Sequence, residues 1–135
     1  MSASLAFQLA ARSILIANSD VIALIPAGNI IDANGRPELF PRINMGEDQE
    51  LPADDVVGRY THLLATMHIW NREPGLEGVK AITAAVRRAL IRQIWTRNGF
   101  HCGDTRLQSA RYLRDPDGLT AHGVITFEAL IEDRT

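Results

Sequence analysis

The chain has 135 residues, of which 46% are hydrophobic and 22% charged, and its formal net charge is −2. That length fits one domain with a core large enough to stand without metals or disulfides. The charge argues against a general nucleic-acid binder, which needs a basic excess to meet phosphates, and leaves room for a basic patch on one face.

The single cysteine, Cys102, rules out an intrachain disulfide and suits a reducing compartment. Met1 to Ala11 lacks the basic start and long apolar run of a signal peptide, and no stretch approaches the roughly 18 apolar residues of a membrane span. The expectation is a soluble cytosolic domain without internal repeats.

Ser2 to Ala17 predicts a helix, capped by Ser2 or Ser4, with Leu5, Leu9, Ser13 and Ile16 on one stripe widened by Phe7, Ala10 and Ile14. Ser19 can cap a short turn, Asp20 to Leu24, that ends before Pro26 and Gly28. Asn29 to Ala33 predicts a short strand, followed by a turn at Asn34-Gly35 and Pro37. Phe40 to Gly46 predicts another strand. The segment from Glu47 to Asp55 contributes Glu47, Asp48, Glu50, Asp54 and Asp55 against no basic residue, so a mobile acidic loop is expected at about 47–58.

Arg59 to Trp70 gives the clearest strand pattern. Leu63, Ala65, Met67 and Ile69 fall on one face at period two, and His62, Leu64, Thr66, His68 and Trp70 on the other. After a turn over Asn71 to Gly75, Leu76 to Trp95 predicts the main helix. Its buried stripe is Val79, Ile82, Val86, Leu90 and Ile94, and Lys80, Arg87, Arg88 and Arg92 face away. Asn98-Gly99 is expected to stop this helix. The last third predicts a hairpin, Leu107 to Arg114 and Leu119 to Glu132, joined by Asp115-Pro116-Asp117-Gly118. The order gives a single α+β domain, an antiparallel β-sheet with two main α-helices packed on one face.

Catalytic patterns are missing. There is no C-x-x-C, H-E-x-x-H, G-x-S-x-G or phosphate-binding glycine loop. His62 and His68 share a strand face but stand six residues apart, and would need His122 from a neighbouring strand to hold a metal. His101 and Cys102 are adjacent in an expected loop, so they do not face each other as a nucleophile and base would. A solvated acidic run lacks the burial that tunes a general acid. The expectation is no enzyme, no metal and no cofactor.

Three segments together resemble the phage and prophage tail-completion, or tail-terminator, family, which includes proteins of gene transfer agents. They are the strand His62 to Arg72 followed by Gly78 to Leu90, the Tyr112 to Phe127 hairpin, and the strand Ile43 to Asp48 ending in a glycine-acidic step. The amino-terminal helix and Ser19 to Ile25 fit the same order. Gln93 to Gly103 departs from it, with aromatic and basic residues in place of a small apolar linker.

The resemblance implies a hexameric ring at the head-proximal end of the tail tube that stops tube growth and joins the tail to a head connector. DNA would pass through the lumen without specific binding. It implies a place in the virion, with the bacterial cytoplasm before assembly, and no membrane. Alternatives are a connector or stopper ring of the same assembly and a small α+β ligand-binding domain.

A ring subunit needs two complementary surfaces. The face bearing His62, Leu64, Thr66, His68 and Trp70 is one candidate, with Trp70 the expected anchor. Arg87, Arg88 and Arg92 are the other, and could meet the acidic loop of the next copy. Glu47, Asp48, Glu50, Asp54 and Asp55 are the expected lumen lining or tube contact, repelling DNA over a screening length of roughly 8–10 Å.

Overall fold

A computed structural model describes residues 1–32, 39–53 and 57–135. Helix α1 (Ala3–Ala17) starts where the Ser2 side chain accepts from the Leu5 N–H. Helix α2 (Ser19–Ile22) is one turn, capped by Asn18 rather than Ser19, with the Asn18 carboxamide accepting from the N–H groups of Asp20 and Val21. A 3₁₀ turn, Ala27–Asn29, leads into β1 (Ile30–Ile31). The expected turn at Asn34-Gly35 and Pro37, the end of the first strand at Ala33, and Asp54 and Asp55 lie outside the described residues.

Four long strands make the sheet: β2 (Arg42–Pro52), β3 (Tyr60–Arg72), β5 (Phe100–Arg114) and β6 (Thr120–Asp133), with short β4 (Trp95–Arg97) between α3 (Glu77–Leu90) and β5. The order is β1-β2-β3-β6-β5-β4, antiparallel throughout except for the parallel β1–β2 pair. α1 and α3 pack on one face of this α+β sheet. No helix among the described residues is long and apolar enough to cross a membrane.

The covered face is built by alternation. Leu63, Ala65, Met67 and Ile69 of β3 and Ile125, Phe127, Ala129 and Ile131 of β6 are buried, as the period-two pattern predicts. α3 adds Val79, Ile82, Val86 and Leu90. The start of α3 is secured from outside the helix. The N-cap Leu76 has no side-chain bond, and Glu73 accepts from the N–H groups of Gly78 (2.8 Å) and Val79 (3.0 Å) and from Asn71 Nδ2 (2.7 Å).

Several expectations are corrected. The acidic stretch 47–52 is not a loop but the second half of β2, paired with β3 from Asp48↔Ala65 to Pro52↔Thr61. Its backbone is satisfied by the ladder, and its carboxylates bond to their own chain. Ser4 Oγ donates to Asp48 (2.5 Å) and Ser4 N–H to Glu50 (2.8 Å). Two acids therefore sit against the positive end of α1, where the helix dipole favours them.

The buried stripe of α1 is Ala3, Ala6, Phe7, Ala10, Ala11 and Leu15, whereas Leu5, Ser13 and Ile16 face out. Small alanines let the helix lie close to the sheet. α3 ends at Leu90, because Ile91 is extended and Arg92 is left-handed (φ 62°), which leaves Ile94 exposed. Trp95 to Arg97 pair with β5 instead, through a tight turn with Asn98 (φ 50°) and Gly99 (φ 83°) both left-handed. His101 and Cys102 are thus strand residues.

Candidate functional site: the open face of the sheet

No described helix lies on the second face of the sheet. Alternation in β3 places His62, Leu64, Thr66, His68 and Trp70 there, all half-buried, as expected from the sequence. Across the β3–β6 ladder they pair with Leu130, Glu128, Thr126, Val124 and His122. The polar members bond to one another. Thr66 and Thr126 hydroxyls are 3.2 Å apart, and His62 Nε2 lies 3.4 Å from a Glu128 oxygen.

One end of this face carries a linear polar-aromatic chain. Glu47 Oε1 lies 2.7 Å from His68 Nε2, and His68 Nδ1 lies 2.8 Å from His122 Nε2. A carboxylate can only accept, so His68 donates from Nε2, and in its neutral form accepts at Nδ1 from His122. The His122 ring stacks on Trp70, with centroids 3.7 Å apart and planes 10° apart. The Arg42 guanidinium lies 5.4 Å from the Trp70 ring and 4.9 Å from Phe40, and Arg72 sits 5.0 Å from Phe40. Gly46 leaves room for this arrangement, since a Cβ there would stand 2.7 Å from the His68 ring.

Electrostatics follow the geometry. His122 falls from its ordinary 6.5 to about 4, mainly because burial penalises the charged ring, then because His68 lies beside it. The His68 hydrogen bond holds Glu47 below the usual carboxylate range, and burial pushes Asp48 up.

The remaining candidates lie elsewhere. Arg87 and Arg88 are exposed on α3 in the helix layer, and Arg92 is exposed in the turn after it, so none joins the open face. Of the acidic set, Glu47 reaches the open face, while Asp48 and Glu50 bond to Ser4 at α1.

The structure brings His68 and His122 together and leaves His62 with Glu128 at the other end. Among the described residues no group of three or more His, Cys, Asp or Glu could hold a metal. Cys102 is buried, its thiol bonded to the Asp104 carbonyl and close to the Thr105 hydroxyl, and burial raises its pKa away from the nucleophilic thiolate. Sequence reasoning missed Phe40, Arg42, Asn44 and Arg72 as members of this face. The signal lay in the shared parity of 40, 42 and 44, legible once the Arg42↔Trp70 register is known.

The fold and this face define a class: a two-layer α+β subunit whose exposed sheet face presents stacked aromatic and charged groups. The chain belongs to the tail completion protein gp17 family, whose profile matches residues 10–132. It is a family of structural phage tail proteins. Two solved structures share the fold. A chain of the virion of a native gene transfer agent particle superposes with a TM-score of 0.87 at 20% identity, covering 97% of this chain and 98% of that one. The bacteriophage SPP1 gp17 protein gives 0.63 at 22% identity, covering 98% and 94%. No curated protein sequence matches this chain.

Proposed function

We propose that the protein is a ring-forming tail terminator. In this reading copies of the chain close into a homo-hexamer on the head-proximal end of the tail tube, stop its growth and join it to the head connector. DNA passes through the lumen unbound. The chain works as a virion subunit, by docking, with no bond made or broken and no cofactor.

The observation that carries this reading is the open face. Trp70, His122 and Arg42 form a half-buried stack on a sheet whose other side already supplies the core. Aromatic and arginine side chains in such a setting are the usual anchors of protein interfaces. Arg87, Arg88 and Arg92, on the opposite layer, supply a second and different surface, as a head-to-tail ring contact needs. In this reading Glu47, Asp48, Glu50, Asp54 and Asp55 supply the lumen or tube contact.

Electron microscopy of the protein mixed with tail tubes tests the function. Rings on one tube end are expected with the native chain and are lost with Trp70→Ala, at little change in melting temperature. Absence of any ring on tubes or in solution would refute the function, and normal capping by Trp70→Ala would remove the open face from it.

A further inference from the structure

The outer two of the four long strands, β2 and β5, are covered over only part of their length by the short strands β1 and β4. β1 reaches β2 at Ile43 and Asn44, and β4 reaches β5 at Phe100 to Cys102. The Thr105 carbonyl accepts from the Arg92 N–H at 3.2 Å. Beyond these points, no strand among the described residues pairs with the outer side of β2 over 45–52 or of β5 over 106–114. A free edge presents a row of backbone N–H and C=O groups, ready to add another strand.

The charges on the two edges are opposite. The free part of β2 carries Glu47, Asp48 and Glu50 and no lysine or arginine, and that of β5 carries Arg106, Arg111 and Arg114 and no carboxylate. Arg111 and Arg114 are exposed, and Arg106 is exposed and pairs with Asp104 at 2.7 Å. Glu47, Asp48 and Glu50 keep their charges near the edge while bonded to His68 and Ser4, with Asp48 partly covered. Two β2 edges repel each other, as do two β5 edges, which leaves β2 against β5. Charge thereby disfavours a two-fold contact and selects a head-to-tail one, the kind that closes rings. A bulge in each edge, at Met45/Asp48 and Leu107/Ser109, limits pairing with unrelated strands.

We propose that β2 of one copy pairs with β5 of the next, so that one sheet continues across each subunit boundary. The proposal rests on the ring reading and adds a backbone contact to the side-chain surfaces named there. Its direction follows from topology. The steps β2–β3, β3–β6 and β6–β5 are each antiparallel, so β2 and β5 run oppositely. A copy placed by rotation about an axis along the strands therefore presents β2 antiparallel to β5.

In that direction the covered ends avoid each other. β1 covers the start of β2, which meets the end of β5, and β4 covers the start of β5, which meets the end of β2. Arg87 and Arg92 border a groove with Asp104 and Arg106 beside the β5 edge, which extends its positive rim.

The test is a cross-link in the full chain. Gln49→Cys on β2 is combined with Gln108→Cys or Ser109→Cys on β5, and the native Cys102 is buried and stays silent. Mild oxidation of the assembled double variant is expected to give a covalent ladder beyond the dimer, and neither single variant gives one. Rings that form with no ladder from either pair overturn the edge contact and leave the ring reading standing. A native chain that forms no ring, alone or on tail tubes, overturns both.

Charge reversal gives a second readout. Arg111→Glu with Arg114→Glu should weaken assembly about tenfold or more at low salt. The melting temperature should hold, because neither arginine forms an ion pair among the described residues. Assembly equal to the native chain at low salt would also overturn the proposal.

Discussion

The two faces of the sheet come from the same strands, one residue out of phase, and differ in what completes them. Beneath the helices, Leu63, Met67, Ile69, Ile125, Phe127 and Ile131 are almost wholly removed from water. On the other side, Leu64, Thr66, His68, Trp70 and His122 stay half-buried, and their bonds run along the surface. The covered face is finished by the chain itself. The open face is finished as far as its hydrogen bonds go, yet still exposes aromatic and apolar area. Stability should therefore reside in the first and assembly in the second.

The widest separation is expected from Phe127→Ala, which deletes a fully buried ring under the helices. It should cost about 3–5 kcal/mol in chemical denaturation, where Trp70→Ala costs far less. Equal losses would erase the distinction between the faces. Gly46→Ala probes the open side. The added methyl meets the His68 ring and, at 2.9 Å, the Thr66 carbonyl, so a cost of about 1–3 kcal/mol is expected, with displaced His68 and His122 ring resonances in NMR.

Glu73→Ala leaves the Gly78 and Val79 N–H groups at the start of α3 without their acceptor. A loss of about 1 kcal/mol is expected, with Glu73→Gln recovering part of it. An unchanged denaturation midpoint would show that water replaces the carboxylate.

The open face also makes stability depend on pH. His122 is depressed from 6.5 to about 4, so the unfolded chain takes up a proton at a pH where the folded chain does not. Its contribution is whole above pH 6.5 and is lost progressively as pH falls towards about 4. Glu47, held low by His68, loses its contribution below its ordinary value of 4.5. His122→Gln should flatten the slope of stability between pH 6.5 and 4, and an unaltered slope would place the titration elsewhere.

Much of the architecture was legible in the residues, for local reasons. The β3 and β6 alternations, the Asp115 to Gly118 turn, the Ser2 cap and the α3 stripe up to Leu90 each follow from periodicity or turn chemistry within a few positions. The failures share one cause. Composition alone marked 47–52 as a loop, because nothing local shows that Ser4 and His68 would receive its carboxylates. Helical periodicity ran on through Ile94 and Trp95, because the competing partner, β5, lies later in the chain.

By itself the sequence determined the α+β class, the main helices, the buried alternation of the central strands and the presence of His62, His68 and Trp70 on one side of β3. Tertiary structure decided which stripe of α1 is buried, that the acidic run is a strand, and that His122 and Arg42 meet Trp70. The physical reason is range. Propensity and side-chain period act over a few residues, whereas the register that stacks His122 on Trp70 depends on strands far apart in the chain.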